Sequence, residues 1–273
     1  MKPEADWRLL FDRGRRPLIG LVHLGALPGA PSYAGSMRAI VDAARRDALR
    51  LAEAGFDAVL FVNEGDTPFP HEAPQETVAA MAAAVEAARV EDLTVGVEVL
   101  FDPMASLSVA AATGASFIRG GFIGAWAGTS GLRNGDAATI LRRRASLGLR
   151  HVGLFGVARA ELAWPLSTMP DGRRIQLAVR EGALDALLVG ADAGQPADGE
   201  LVSVVRSAAL HVPVLANSGV SRSNVTQVLA TFDGCLVGSA LKEGGDLTHP
   251  VDAAEAARFV AASSRSRGPV GDK

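Results

Sequence analysis

The sequence has 273 residues, of which 48% are hydrophobic, 21% are charged and 5% are aromatic, and its formal net charge is −3. This balance argues against a nucleic-acid partner, because such proteins usually present a basic surface and aromatic stacking platforms. No window holds the ~18 uninterrupted apolar residues of a membrane-spanning helix, so no transmembrane segment is expected. The one cysteine, Cys235, lies in the apolar run FDGCLVG and is expected in the core. A single cysteine cannot form an intrachain disulfide, which favours a cytoplasmic location.

Short apolar runs alternate along the chain with alanine-rich amphipathic stretches. We predict strands at residues 18–24, 57–62, 94–100, 116–121, 151–157, 185–190, 212–218 and 233–239. The helices that follow them are predicted near residues 37–54, 74–90, 103–113, 136–147, 172–182, 199–209, 222–230 and 251–263. Short apolar strands that alternate with helices indicate βαβ units and a parallel sheet that is buried on both faces.

The number of these units decides between two α/β architectures. Eight units in a chain of this length favour a single (β/α)₈ TIM barrel, which typically has ~250 residues. The alternative is an open, doubly wound sheet, which would need a nucleotide-binding glycine motif after an early strand. Neither GxGxxG nor GxxxxGK[ST] follows any predicted strand. We therefore predict one barrel domain over residues 1–265 and a polar, disordered tail over residues 266–273.

The last two loops carry the clearest local signal. ANSGVSRSNV follows the seventh predicted strand, and LVGSALKEGG includes the end of the eighth. Small residues let backbone N–H groups approach an anion closely, and a helix N-terminus adds a favourable dipole. The alternative is that both segments are simply tight turns. The residues predicted to bind a phosphate and the substrate around it are Asn217, Ser218, Gly219, Gly238, Ser239 and Lys242.

A carboxylate interrupts the third predicted strand. Glu98 alternates with Val97 and Val99, so its side chain is predicted to point into the barrel. A buried charge needs a partner, and Arg119 on the neighbouring strand is the predicted one. The pair is open to a structural interpretation, a catalytic one, or both.

Further candidates follow other strands at the end of the barrel where active sites lie. His23 ends the first strand and is suited to proton transfer, although a buried structural histidine is the alternative. Glu64 and Asp66 lie in a loop and are predicted to be less constrained than Glu98. They are candidates for acid/base catalysis, and a solvated turn without a catalytic role is the alternative. Asp102 is a further acid/base candidate, and Asn63 and Asp192 are predicted to contact substrate.

No cofactor is required by these residues. The sequence has no HxH or HExxH spacing, which argues against a zinc site. A divalent metal is left open, because carboxylates are its usual ligands. The set from which such ligands would come is Glu64, Asp66, Glu98 and Asp102.

Several of these segments resemble the BtpA family. The matching stretches are LVHLGALPGAP, DAVLFVNEGDTPF, GVEVLFDP, ASFIRGGFIGA, ANSGVSRSNVTQVL and FDGCLVGSALKEGG, and the resemblance covers roughly residues 17–260. It implies a TIM barrel of the phosphate-binding group. The family is named for a role in photosystem I accumulation in cyanobacteria, with a peripheral thylakoid association, and similar proteins are suspected of acting on sugars or nucleosides.

The chain departs from the family pattern on one side of the predicted barrel mouth. Members typically carry Asn where this chain has Glu98, and Arg-Asn-Asp where it has Phe101, Asp102 and Pro103. A Val-Lys-His stretch typical after the fifth strand is replaced by GVARAELAWPL, and Thr-Gly after the sixth is replaced by Gly190 and Ala191. The resemblance therefore implies a divergent family member that retains the phosphate-binding side of the barrel mouth.

Three functions remain open from the sequence. The first is an enzyme that uses acid/base chemistry on a phosphorylated sugar or a nucleotide- or nucleoside-like molecule, by isomerisation or glycosidic-bond cleavage. The second is a non-catalytic assembly factor for photosystems or other membrane proteins. The third is a ligand-binding pseudoenzyme. The partner expected in the first case is a phosphorylated small molecule, and a homo-oligomer is left open.

Overall fold

The elements of the fold alternate as the sequence predicts. The computed structural model describes residues 6–12, 14–128, 131–158, 163–190, 199–209 and 211–268. The strands are β1 (Leu18–His23), β2 (Ala58–Val62), β3 (Thr94–Glu98), β4 (Phe117–Gly120), β5 (Gly124–Gly128), β6 (Gly131–Gly135), β7 (Gly153–Val157), β8 (Ala163–Pro165), β9 (Ala186–Val189), β10 (Val214–Ala216) and β11 (Cys235–Val237).

The helices lie between these strands and after the last of them. They are α1 (Leu9–Asp12), α2 (Met37–Ala54), α3 (Gln75–Ala88), α4 (Pro103–Thr113), α5 (Ala137–Ser146), α6 (Asp171–Gly182), α7 (Gly199–Ala209), α8 (Val225–Thr231) and α9 (Ala253–Ser263). Short 3₁₀ helices cover Glu64–Asp66, Ser239–Leu241, Glu243–Gly245 and Ser264–Ser266. Within the described ranges, no helix has both the length and the apolar character needed to cross a membrane.

Parallel strands close into a barrel with the order β1-β11-β10-β9-β7-β4-β3-β2. Closure depends on β1, which pairs with β2 from Ile19↔Ala58 to His23↔Val62 and with β11 from Leu18↔Cys235 to Gly20↔Val237. The predicted (β/α)₈ fold is confirmed, and the open-sheet alternative is wrong. Each predicted barrel strand is present, although shorter at one or both ends than its apolar run.

Apolar side chains fill the barrel toward the N-terminal ends of its strands. Inside, Phe117 stacks on Phe155 with ring centroids 4.5 Å apart, and Trp7 meets Phe155 edge-on at 5.7 Å. Gly96 makes room for this layer, because a Cβ at that position would lie 2.2 Å from the Phe117 ring. Trp7 packs over Gly153 at the start of β7, which closes the N-terminal end of the barrel. The barrel interior is therefore closed at this end and opens at the opposite rim, where the strands end.

A buried carboxylate joins the two chain ends at the N-terminal side of the barrel. Asp57 accepts a hydrogen bond from the Leu18 amide at 2.8 Å and forms an ion pair with Arg15 at 2.6 Å. It also pairs with the buried guanidinium of Arg267. Arg267, which lies two residues beyond the predicted boundary at residue 265, is therefore buried in this contact.

A three-stranded antiparallel sheet, which no pattern in the sequence predicts, lies outside the barrel in the order β6-β5-β8. Trp126 is opposite Arg133 and Pro165 in this sheet, whereas Ala127 is opposite Leu132 and Trp164. Directly opposite residues share a face of a sheet. One face therefore carries Trp126, which is 5% exposed, and the other carries Leu132 and Trp164, which are 67% and 59% exposed.

Candidate functional site

A cavity of about 280 Å³ opens at the carboxyl ends of the barrel strands, beneath the β5–β6 hairpin. Its walls come from the ends of β3, β4 and β7, from the loops after β2 and β3, and from the hairpin. The residues that line it are His71, Glu72, Glu98, Leu100, Phe101, Arg119, Gly121, Trp126, Leu132, Arg133, Asn134, Gly135 and Val157.

The floor of this cavity contains an ion pair. Arg119 Nε lies 2.6 Å from Glu98 Oε2, and the two residues are 7% and 5% exposed. Arg119 Nη1 also donates a hydrogen bond of 3.2 Å to Asn217 Oδ1. The predicted contact between Glu98 and Arg119 is therefore present. Because β4 and β10 lie on different sides of the barrel, Arg119 connects two sides of the rim.

His23 ends β1 and packs against the last barrel strand. A Cβ at Gly238 would lie 2.7 Å from Cε1 of His23, so the imidazole occupies the space that this glycine leaves. Burial, followed by the positive charges of Lys242 and Arg119, lowers the pKa of His23 to about 3. The imidazole is consequently neutral at physiological pH. A neutral imidazole can pass a proton but cannot stabilise an anion by charge.

Asp66 and Asn63 hold the loops of the rim together. The Asp66 carboxylate accepts hydrogen bonds from the Leu27 amide at 2.7 Å and from Asn63 Nδ2 at 2.9 Å. Asn63 Oδ1 accepts one from the Leu100 amide at 2.7 Å. Burial raises the pKa of Asp66, although both hydrogen bonds act against the rise. The expectation that Asp66 lies on a freer loop is wrong, because this network joins the loops after β1, β2 and β3.

Asp102 is the N-cap of α4. Its Oδ1 accepts a hydrogen bond from the Ala105 amide at 2.9 Å, and its Oδ2 accepts one from the Ala73 amide at 2.8 Å. Both oxygens are thus engaged by backbone donors, as is usual for an aspartate in this position. The geometry corrects the acid/base interpretation of Asp102 to a structural one. Glu64 is half-buried in the 3₁₀ helix Glu64–Asp66.

The loops after β10 and β11 are neighbours because their strands pair at Ala216↔Cys235. Gly219 has a φ of 66°, and the Asn224 side chain fixes this turn through the Ser221 amide and the Gly219 carbonyl, both at 2.8 Å.

The hydroxyl of Ser218 lies against the end of β9. A Cβ at Gly190 would lie 2.5 Å from Ser218 Oγ, so the glycine is needed for that hydroxyl to take its position. Gly238 and Ser239 lie where β11 passes into the 3₁₀ helix Ser239–Leu241. Ser218, Gly219, Gly238 and Ser239 thus share one sector of the rim, and their role in binding a phosphate stays a prediction.

Lys242 does not extend this sector. Its ammonium lies 2.6 Å from Asp47 Oδ2 on α2, and both side chains are buried. The other Asp47 oxygen accepts a hydrogen bond from the Val251 amide at 2.9 Å. The predicted contribution of Lys242 to a phosphate site is corrected, because the buried carboxylate holds its charge.

Two further sequence expectations concern Asp192 and a metal. Asp192 lies outside the described residues. Across the described part of the chain, no three His, Cys, Asp or Glu side chains are grouped as metal ligands would be.

Sequence reasoning missed the hairpin side of the cavity. The guanidinium carbon of Arg133 lies 3.3 Å from the centroid of the Phe101 ring. Phe101 has a φ of 68°, an uncommon conformation for a residue with a side chain. Trp126 lines the same cavity, as does His71, whose position the sequence did not connect with the site. Neither strand periodicity nor a motif marks these residues, and only the tertiary structure brings them together.

The closed parallel barrel and the ionisable residues at its carboxyl rim define a TIM-barrel protein with an enzyme-like architecture. The chain belongs to the BtpA family, whose sequence profile matches residues 14–265. It is 34% identical over 256 residues to the putative sgc region protein SgcQ of Escherichia coli, covering 90% of this chain and 93% of SgcQ. It is 30% identical over 253 residues to the photosystem I biogenesis protein BtpA of Synechocystis, covering 90% of this chain and 87% of that protein.

Solved structures support the same fold. Tryptophan synthase of Mycobacterium tuberculosis superimposes with a TM-score of 0.62 at 20% identity, covering 93% of this chain and 96% of that one. Phosphoribosyl anthranilate isomerase of Thermus thermophilus gives a TM-score of 0.56 at 14% identity, covering 92% of this chain and 100% of the other. At these identities the similarity establishes the barrel and leaves the reaction open.

The buried pair predicts an asymmetric response to mutation. Arg119→Met leaves the Glu98 carboxylate buried without its guanidinium and is expected to lower the free energy of unfolding by about 3–5 kcal/mol. Adding Glu98→Leu removes the remaining buried carboxylate and should restore much of that loss, because apolar replacement of a whole buried pair is often neutral. Urea unfolding of the two single variants and the double variant measures the coupling. A double variant no more stable than Arg119→Met contradicts the pairing.

The neutral His23 predicts a pH dependence of stability. Below its ordinary pKa of 6.5 the unfolded chain binds a proton at His23, whereas the folded chain binds none until the pH approaches about 3. The unfolded state then holds more protons, so stability is lost as the pH falls through this window. His23→Gln should lose less stability than wild type between about pH 7.5 and about pH 5 in urea unfolding. Equal losses would contradict the lowered pKa.

Proposed function

We propose that this protein is an enzyme that performs acid/base chemistry on a phosphorylated sugar or a nucleoside-like small molecule at the carboxyl rim of its barrel. The observation that carries the proposal is the Glu98–Arg119 pair, a buried carboxylate and guanidinium in contact at the floor of a cavity. Burying two charges costs free energy. A preorganised charged pair is useful in an active site, because it can stabilise charge that develops during a reaction.

The proposed roles follow from the chemistry of each group. Glu98 moves a proton at a carbon or oxygen atom of the substrate. Arg119 orients Glu98 and stabilises negative charge that develops on the substrate. His23 is a neutral imidazole at the same rim and is proposed as a proton relay. No metal is needed for these steps.

The proposed phosphate position is the sector formed by the loops after β10 and β11. Small residues at Ser218, Gly219, Gly238 and Ser239 let the backbone approach an anion closely. Asn224 holds the first loop in shape through two hydrogen bonds, which lowers the entropic cost of binding.

Among the two reactions that the sequence left open, the contacts favour isomerisation. Glycosidic-bond cleavage usually needs two carboxyl groups that face each other across the bond. Asp102 caps a helix and Asp66 binds the Leu27 amide and Asn63, so neither of these two predicted acids is free to accompany Glu98. Glu72 lines the same cavity as Glu98 but is exposed. One carboxylate with a neutral imidazole suits a proton shuttle between neighbouring atoms of a sugar.

Glu98→Gln tests the proposal. Wild-type protein is incubated in deuterated buffer with ribose 5-phosphate, fructose 6-phosphate and nucleoside monophosphates, and proton NMR follows both conversion and solvent-deuterium incorporation. For any compound that reacts, Glu98→Gln should lower turnover by about a hundredfold or more, because the amide cannot accept the proton. Its binding, measured by calorimetry, should be kept because the phosphate loops are unchanged.

The matched control is Glu53→Gln, which removes an exposed carboxylate on α2 and should turn over like wild type. Unchanged turnover in Glu98→Gln would exclude Glu98 from the mechanism. A wild-type protein that neither converts nor exchanges any of these compounds would favour the second candidate below.

The second candidate is a non-catalytic assembly role. Its supporting observation is the outer face of the β5–β6–β8 sheet, where Leu132, Trp164 and Leu166 are each more than half exposed. Exposed apolar patches often mark sites of protein or membrane association. The relative from Synechocystis is named for photosystem I biogenesis.

This candidate predicts that wild-type protein sediments with lipid vesicles and that the double variant Leu132→Ser, Trp164→Ser does not. The physical reason is the loss of the apolar surface that would enter the interface. Replacing exposed Leu49 on α2 by Ser controls for a general loss of hydrophobic surface. A protein that stays in the supernatant with neutral and with anionic vesicles contradicts a membrane-surface role.

A further inference from the structure

We propose that Arg133 is the anion-binding group of the cavity beneath the β5–β6 hairpin, and that this cavity takes a small carboxylate carried on a flat aromatic or unsaturated ring. The inference deepens the proposed function by naming a substrate class for the same rim. It concerns the sector of β3, β4 and β7, which lies across the barrel from the phosphate loops after β10 and β11.

Arg133 has a charge that nothing in the described structure neutralises. Its guanidinium is half-buried, it lines the cavity, and it makes neither an ion pair nor a hydrogen bond with any described residue. Burial lowers its pKa, and no neighbouring carboxylate opposes that effect. An arginine remains protonated at neutral pH even so, and a partly desolvated cation gains free energy from an incoming anion.

A second arginine of the same region provides the contrast. Arg174 lies 4.9 Å from the centroid of the Trp126 ring and also stacks on an aromatic side chain. Its two terminal nitrogens are engaged, however: Nη2 contacts Asp171 at 2.6 Å and Nη1 donates to the Ala158 carbonyl at 2.8 Å. Arg174 is therefore a structural group. Arg133 has the same kind of stacking contact without acceptors for its N–H groups.

The position of Arg133 is held by its surroundings. The residue opposite it on β5 is Trp126, which is buried on the same face of the sheet. Phe101 supports the guanidinium from below at 3.3 Å and is itself held in a left-handed backbone conformation. A guanidinium that is stacked on a ring loses less freedom when it forms two parallel hydrogen bonds.

The lining favours a carboxylate on a ring over a free phosphate. Leu100, Phe101, Trp126 and Val157 present apolar or aromatic surface in a cavity of about 280 Å³. An apolar wall leaves the outer oxygens of a phosphate without partners, whereas it covers the faces of a ring. A planar carboxylate matches the fork of one arginine with two hydrogen bonds.

Calorimetric titration with chosen probes tests the inference. Benzoate supplies ring and charge, benzamide supplies the ring alone, cyclohexanecarboxylate supplies the charge on a ring that is not flat, and inorganic phosphate reports on the other sector. Wild type should bind benzoate more tightly than the other two organic probes. Arg133→Gln should weaken benzoate binding by about tenfold or more, which corresponds to ~1.4 kcal/mol.

Two variants keep the result interpretable. Arg133→Lys retains the charge but not the fork and should bind benzoate with intermediate affinity. Arg38→Gln removes an arginine on α2 whose side chain is 93% exposed and should bind like wild type. Circular dichroism and urea unfolding of each variant establish that the barrel is intact.

The outcomes separate this inference from the proposed phosphate site. Benzoate affinity that is absent in wild type, unchanged in Arg133→Gln or matched by benzamide overturns the inference, even if phosphate binds. Phosphate that fails to bind while benzoate binding depends on Arg133 contradicts the phosphate site and supports the inference.

Discussion

Closure of the parallel sheet is the constraint on which the rest of this structure depends. β1 pairs with both β2 and β11, so the barrel sheet has no free edge and all its strands point the same way. Every strand therefore delivers its carboxyl end to one rim. Trp7, Phe117 and Phe155 fill the interior of the barrel toward the opposite end with rings, and the Glu98–Arg119 pair lies at the rim where the strands end.

Arg119 connects side chains from two sides of that rim. Its guanidinium contacts Glu98 on β3 and the Asn217 side chain after β10, so it links the cavity side to the side that carries the small-residue loops. The hairpin then adds Trp126 and Arg133 above the cavity.

The predictions from sequence succeeded where a pattern had one physical meaning. Glu98 between two valines could point only inward, and the adjacent strand offered Arg119 as its partner. They failed where one residue type serves several purposes. An aspartate after a strand can cap a helix, as Asp102 does, or bind a loop amide, as Asp66 does, and the sequence does not say which donor will be near. The prediction for Lys242 is wrong for the same reason, since its partner Asp47 is 195 positions away.

The sequence by itself determined the barrel, because alternating apolar strands and amphipathic helices carry their periodicities locally. It also indicated the inward direction of Glu98 and showed that small residues, Ser218 and Gly238, follow the last two barrel strands. Only the tertiary structure decided which side chains meet at the rim. The β5–β6 hairpin comes from a glycine-rich segment with little hydrophobic alternation, so the sequence did not reveal its local pairing. The placement of Arg133 over Phe101 depends on a contact between separate parts of the chain.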